Sequence, residues 1–220
     1  MRKLLKKVAS IFLVPFTQWY LRKERSFQYR DTSVTVMPGV FHPGFFYSTK
    51  FLLEFLEQQQ LTGKSLLELG CGAGLISVAA AKRGANVTAS DISITAIDNA
   101  TKNMAKNKVS VSVIHSDLFN SIPEQTFDFI FINPPYYARD PTNDAQYAWY
   151  CGKDFEYFTK LFGSILPYVD KSSLVIMVLT KGSEINTIKK IAGSQNISFE
   201  LLREKKVLFD EKDYIFQLKV

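Results

Sequence analysis

Ser65-Leu66-Leu67-Glu68-Leu69-Gly70-Cys71-Gly72-Ala73-Gly74 reads as a short, mostly apolar strand running into a glycine-rich turn, and the following Leu75 to Arg83 carries its apolar residues at helical spacing. Glycine there permits tight turning and close approach of a ligand to the backbone. Working outward, the same alternation continues. Asn86 to Ser90 is a second strand, Ile94 to Asn107 a helix, Val109 to Ile114 a third strand, Phe127 to Ile132 a fourth, Asp154 to Leu166 a helix and Leu174 to Thr180 a fifth strand. Strands alternating with helices require a parallel sheet with right-handed crossovers and helices on both faces. The tail breaks the pattern: helix Ile185 to Ala192 is followed by apolar runs Ile197 to Leu208 and Tyr214 to Val220, joined through Asp210-Glu211-Lys212-Asp213 as an antiparallel hairpin. Upstream, Ser33 to Met37 reads as a strand closed by Pro38-Gly39, and Thr49 to Gln59 as a helix with Phe51, Leu52, Phe55 and Leu56 on one face.

A chain of 220 residues allows one well-buried α/β domain with an appendage, not two full domains. Cys71 and Cys151, with His42 and His115, form neither a disulfide framework nor a zinc-ligand pattern, so a reducing cytoplasm is expected. The formal charge of +6 is unevenly spread: residues 1 to 30 hold eight Lys/Arg against Glu24, a segment charge of +7, which leaves the rest nearly neutral. The division expected is a basic amphipathic N-terminal arm over residues 1–32 and a catalytic domain over residues 33–220. In the arm, Leu4, Val8, Ile11, Phe12, Phe16 and Trp19 recur at helical spacing, with Pro15 as a kink. Trp19, Tyr20 and Arg22 stand where the small cleavage-site residues of a signal peptide belong, and no stretch is long enough to span a bilayer. Three readings of the arm stand: a helix docked on the body, an RNA- or ribosome-binding element, and an interfacial membrane anchor.

The spacing G-x-G-x-G, with Glu68 just before it, differs from the G-x-G-x-x-G that cradles a dinucleotide pyrophosphate. A carboxylate there repels a pyrophosphate and attracts the ammonium of a methionine moiety, which favours S-adenosylmethionine over NAD. The fourth strand ends in Asn133-Pro134-Pro135-Tyr136. Prolines fix φ and donate no hydrogen bond, so the Asn133 side chain and the Pro134 carbonyl present acceptors beside an aromatic ring, a shelf suited to a planar –NH2 group. Pro135 keeps the shelf stiff and Tyr136 stacks on the planar group, with Tyr137 a weaker candidate for the same wall. Together with the glycine turn, this resembles the class I S-adenosylmethionine-dependent methyltransferases that modify amide or exocyclic amino nitrogens. The resemblance implies a Rossmann-like fold: a seven-stranded, mostly parallel sheet ending in an antiparallel hairpin.

By that resemblance Gly70, Gly72 and Gly74 line the cofactor, Asp91 accepts the ribose hydroxyls, and Asp117 accepts from the adenine amino group with the Leu118 backbone or the Phe119 ring alongside. Taken singly, Asp117 also reads as a turn cap. Ile92 belongs to the same cofactor set. The segment from Val40 to Thr49 resembles the part of this family that covers the cofactor: Phe41 packs on it, and Thr49 caps the next helix near the methionine carboxylate. Ordinary packing of a hairpin is the alternative. His42 is expected at the surface or in support of the site, since nothing near it in sequence supplies a nucleophile or a metal partner.

Within this superfamily the chain, from about Thr35 onward, most resembles the release-factor glutamine methyltransferases, since Ala148-Trp149-Tyr150-Cys151-Gly152-Lys153-Asp154 is similar to their Gly-Gly-Lys/Arg-Asp/Asn-Gly stretch. Cys151 departs from its first glycine and Phe155 from its last. The helical substrate-docking domain of the bacterial enzymes has no counterpart, which places the chain nearer the short members, some of which need a small activating subunit. The expected substrate is therefore a glutamine side chain of a release factor or ribosomal protein. The competing reading is an RNA or DNA base, adenine N6 or guanine N2. Val36-Met37-Pro38-Gly39-Val40-Phe41 is also similar to small ribosomal-RNA guanine methyltransferases, the arm would supply phosphate contacts, and Tyr136, Tyr137, Tyr147, Trp149 and Tyr150 would stack a flipped base. A third class is an inactive cofactor-binding protein or a membrane-associated module.

Overall fold

The structure, a computed structural model, describes residues 22–206 and 212–220, so the amphipathic helix expected between Leu4 and Trp19 lies outside the described residues. A hairpin of β1 (Arg25–Tyr29) and β2 (Thr32–Val36) precedes α1 (Tyr47–Leu56). Then follow β3 (Ser65–Leu69), α2 (Leu75–Lys82), β4 (Asn86–Asp91), α3 (Ile94–Asn107), β5 (Ser112–His115), β6 (Phe129–Ile132), α4 (Glu156–Ser164), β7 (Leu174–Thr180), α5 (Ile185–Gly193), β8 (Ser198–Lys206) and β9 (Lys212–Lys219). Strands β3 to β9 form one seven-stranded sheet in the order β5-β4-β3-β6-β7-β9-β8. Pairing is parallel from β5 to β7 and antiparallel where β9 meets β7 and β8, the mixed Rossmann-like architecture expected.

The period of two along each strand divides the core into two layers. Ile130 and Ile132 of β6 and Val175, Met177 and Leu179 of β7 pack with Phe158, Leu161 and Phe162 of α4 and Ile188 of α5. Their neighbours Phe129, Phe131, Ile176 and Val178 face the opposite way, onto Phe51, Leu52 and Phe55 of α1 and Leu75 and Ile76 of α2. Because β4 lies on one side of β3 and β6 on the other, the chain reverses its winding at β3, and a crevice opens beyond the carboxyl ends of these strands.

Several boundaries differ from the sequence reading for identifiable reasons. The hairpin β1–β2 straddles the expected division at residue 32, because Arg25–Tyr29 pairs with Thr32–Val36 across a turn in which Arg30 has φ +51°. Helix α1 begins at Tyr47, so Thr49 lies inside it and does not cap it; the N-cap is Phe46, which makes no side-chain cap bond. Helix α4 stops at Ser164, ahead of Pro167, and the chain continues as a 3-10 turn over Leu166–Tyr168. Lys212 and Asp213 belong to β9, paired with Lys206 and Lys205, not to the connecting turn.

The hairpin is held by an unusual device. On α3, Asn99, Asn103 and Asn107 recur every four residues and face the free edge of β2. Asn99 Oδ1 accepts from the Met37 N–H at 2.9 Å and Asn103 Oδ1 from the Thr35 N–H at 2.8 Å. Their amide groups donate to the Thr35 carbonyl at 2.7 and 2.8 Å, and Asn107 donates to the Ser33 carbonyl at 2.7 Å. A helix face thus supplies the hydrogen bonds that a neighbouring strand would give. No helix among the described residues is long and apolar enough to cross a membrane.

Candidate active site

A cavity of about 420 Å³ occupies the crevice, lined from the glycine turn, the ends of β4, β5 and β6, the segment before α1 and the loop after Tyr136. Gly70 and Gly72 have φ of +74° and +52°. The Gly70 and Cys71 N–H groups both donate to the Ser90 carbonyl at 2.9 Å, tying the turn to β4. A Cβ added at Gly70 meets no protein atom within 4 Å, so the backbone there is open to a ligand. Gly74 corrects its assignment: it is not on the cavity wall, and a Cβ there would lie 2.6 Å from Met104 Cε and 3.2 Å from Ala100 Cβ, so it serves close packing against α3.

Two acids face the cavity, Glu68 buried and Asp91 partly buried. Glu68 Oε2 accepts from the Ser77 N–H at 2.8 Å and from the Ser77 hydroxyl. Burial raises its carboxyl to about 8, against the pull of those bonds, and Asp91 adds to the rise. Asp91 Oδ2 accepts from the Gly72 N–H at 2.8 Å and Oδ1 from the Ser93 N–H at 2.9 Å. Its carboxyl is also raised, chiefly by burial. Open glycine backbone beside two acids that would gain from a positive charge or from hydroxyl donors fits the methionine ammonium and ribose of S-adenosylmethionine.

Asp117 lines the cavity beyond β5, its Oδ2 ion-paired with Lys160 Nζ of α4 at 3.0 Å. Leu118 sits on the wall with φ +53°, a left-handed conformation costly for leucine and held by its buried surroundings. Phe119, expected beside the adenine, is not on the cavity wall; it stacks on Tyr168 at 4.3 Å in the core. Ile92 lines the cavity, as do Tyr157 and Lys160 of α4, two residues the sequence reading missed because α4 follows the acceptor loop at a distance in sequence.

Over the cavity, Phe41 and Phe46 stack at 5.1 Å and Trp149 joins them at 5.2 and 5.0 Å. Trp149, Tyr147 and Tyr150 belong to the loop after Tyr136, and all three line the cavity. The loop is fastened by Asp144, whose Oδ2 accepts from the Ser93 hydroxyl at 2.5 Å. Its return is set by the Tyr137 N–H donating to the Trp149 carbonyl and the Cys151 N–H donating to the Tyr137 carbonyl, each at 3.0 Å. Tyr137 itself is exposed and off the wall, which removes it as a partner of the planar group. Gly152 has φ +86°, a conformation that strains any residue with a side chain, and an added Cβ would also displace the Glu156 carboxylate. Phe155, at the last glycine of the similar stretch, keeps a glycine-like φ of +61°.

The shelf lies where β6 ends: Asn133, Pro134, Pro135 and Tyr136 all line the cavity. Asn133 Nδ2 donates to Thr49 Oγ1 at 3.4 Å. Burial raises the Tyr136 phenol, reinforced by Tyr137 and opposed by a bond with Thr180. His42 is buried rather than on the surface: its ring meets Phe45 at 4.8 Å and Phe27 at 5.8 Å, and its Nδ1 accepts from the Gly44 N–H at 3.1 Å. Burial lowers its pKa, and it braces the segment that leads into α1.

This fold, with glycine turn, strand-end acids and Asn-Pro-Pro-Tyr around one cavity, defines an S-adenosylmethionine-dependent methyltransferase. The chain belongs to the methyltransferase small domain family, whose profile matches residues 31–149. It is 35% identical over 158 residues to a provisionally assigned protein N5-glutamine methyltransferase of Methanocaldococcus jannaschii, covering 67% of this chain and 78% of that one. Among solved structures it is similar to the E. cuniculi Mtq2–Trm112 complex responsible for methylation of the eRF1 termination factor, with TM-score 0.61, 21% identity and coverage of 82% and 98%. It is also similar to a T. thermophilus 16S rRNA guanine-N2 methyltransferase in complex with AdoMet and guanosine, with TM-score 0.62, 18% identity and coverage of 89% of this chain and 50% of that one.

Proposed function

We propose that this methyltransferase modifies a planar amide nitrogen, and that its acceptor is a glutamine side chain of a release factor or ribosomal protein. S-Adenosylmethionine supplies an electrophilic methyl group, and Glu68, Asp91, Asp117 and the glycine backbone would hold it. An amide nitrogen is a weak nucleophile because its lone pair is delocalised. Asn133 Oδ1 and the Pro134 carbonyl take its two N–H bonds and let the nitrogen move toward tetrahedral geometry, with the Tyr136 ring beside it. These acceptors act most strongly as positive charge builds on nitrogen, so they favour the transition state over the ground state. The reaction needs no strong base, because the proton becomes acidic only after methyl transfer.

Charge favours a protein acceptor over a nucleic acid. Apart from the acids given to the cofactor, the described residues lining the cavity include Asp140, Asp144 and Glu156 and a single Lys or Arg, Lys160, which is paired with Asp117. A phosphodiester chain entering there meets repulsion, whereas a glutamine on a neutral or basic loop does not. The M. jannaschii relative supports the same reading, and the similarity to the Mtq2–Trm112 complex supports a small activating subunit. The second reading, a nucleobase stacked among Tyr147, Trp149 and Tyr150, rests on their place on the wall and on the +7 arm.

The direct test is to incubate the full chain, with and without a candidate activating subunit, with a termination factor and S-adenosylmethionine. Tandem mass spectrometry should place the methyl group on a glutamine side-chain nitrogen. Methylation of RNA with every protein left unmodified would overturn the assignment.

A further inference from the structure

We propose that Thr49 is a positioning residue for Asn133, anchoring its amide at the place from which the carbonyl oxygen can meet the acceptor nitrogen. This rests on the planar-nitrogen reading of the shelf and holds for an amide or a nucleobase acceptor alike. Asn133 and Thr49 are 84 residues apart in sequence, one at the end of β6 and the other in the first turn of α1, yet both line the cavity and Asn133 Nδ2 donates to Thr49 Oγ1 at 3.4 Å.

The chemistry follows from the two ends of an amide. With its –NH2 turned to Thr49, Asn133 presents Oδ1 to the acceptor N–H. A hydroxyl can accept from Nδ2 or donate to Oδ1, so Thr49 fixes where the amide sits and the acceptor's own N–H selects the orientation; with the amide reversed, –NH2 would meet –NH2 and the shelf would lose one of its two acceptors. The bonds also run in series: acceptor N–H to Oδ1, then Nδ2–H to the Thr49 hydroxyl. As charge grows on the acceptor nitrogen, Asn133 is polarised and its own donated bond strengthens. Thr49 is buried, with 6% of its surface exposed, so water does not readily replace it. Since α1 follows directly on the segment carrying Phe41 and Phe46, the bond also fastens that cover to the acceptor shelf.

Thr49→Val keeps the shape and removes the hydroxyl. The test measures single-turnover rate, acceptor KM and cofactor-product affinity by calorimetry, using the acceptor that wild-type enzyme labels. The expected result is a rate lowered on the order of 10-fold or more, KM and affinity changed by less than about twofold, and Thr49→Ser restoring the rate. Thr49→Ala gives the same comparison should the valine variant fail to fold. An unchanged rate in a hydroxyl-free variant would overturn the proposal, as would weakened cofactor affinity with a normal rate at saturation, which would make Thr49 a cofactor ligand. Wild-type enzyme that methylates an acceptor lacking a planar nitrogen would instead remove the reading beneath it.

Discussion

At the scale of single residues, Glu68 joins stability to ligand binding. Its carboxyl is raised to about 8 by burial, whereas an unfolded chain holds a glutamate near about 4.3. The stability contributed by the protonated form is complete below the lower value and is lost as pH rises toward the upper one. The free protein's melting temperature should therefore fall between about pH 5 and 8, and Glu68→Gln should flatten that fall, as read by differential scanning calorimetry. A methionine ammonium beside Glu68 favours its ionised form. Cofactor binding should then release a proton near neutrality, and affinity should rise up to about tenfold from pH 6 to 7, which titration calorimetry in buffers of different ionisation enthalpy would detect. On the acceptor side, Asn133→Ala should abolish turnover and leave cofactor binding nearly intact; activity at the wild-type level would contradict the role given to the shelf.

Residues of this kind were legible where chemistry and a strand end coincide. Glu68, Asp91 and Asn133 each lie at or next to the carboxyl end of a strand, and each lines the cavity. Gly74 and Phe119 were misread because neighbours in sequence need not face the same way: one packs on α3 and the other on Tyr168. Tyr157, Lys160 and Asp144 reach the cavity only through tertiary folding, and no local pattern marks them.

At the scale of elements, the asparagine ladder of α3 is the joint most open to test. Asn103 is buried and also donates to the Ala73 carbonyl at 2.9 Å, so it links β2 to the glycine turn. Asn103→Leu would leave the Thr35 N–H and two carbonyls without these partners. An expected loss of about 2–4 kcal/mol should appear in urea denaturation, with weaker cofactor binding through the loosened turn. Gly74→Ala should also destabilise, since its φ of +74° and the Met104 and Ala100 contacts both oppose a side chain. The elements around β3 could be read from periodicity, because parallel strands buried on both faces are continuous apolar runs such as Phe129–Ile132. Strand β1 could not, since Arg25–Tyr29 has a half-exposed polar face and is defined by its pairing with β2.

At the scale of the whole molecule, charge divides the chain into a basic N-terminal segment and a body whose cavity is acidic. If the segment grips RNA, deleting residues 1–21 should reduce labelling of RNA and flatten its salt dependence; if the acceptor is a protein glutamine reached through the acidic cavity, labelling of that protein should persist. The division into strands, helices and cofactor end was legible because a doubly wound sheet repeats one local pattern. The acceptor was not, since amide and nucleobase present the same planar –NH2 to the same shelf.

The most direct measurement is to incubate the protein with methyl-labelled S-adenosylmethionine and cell extract, then divide the product between protease and nuclease before counting precipitable label. Label lost to protease and resistant to nuclease, in a band that maps to a glutamine side chain, is the predicted result. Label removed by nuclease alone would contradict the account and make the acceptor a nucleobase.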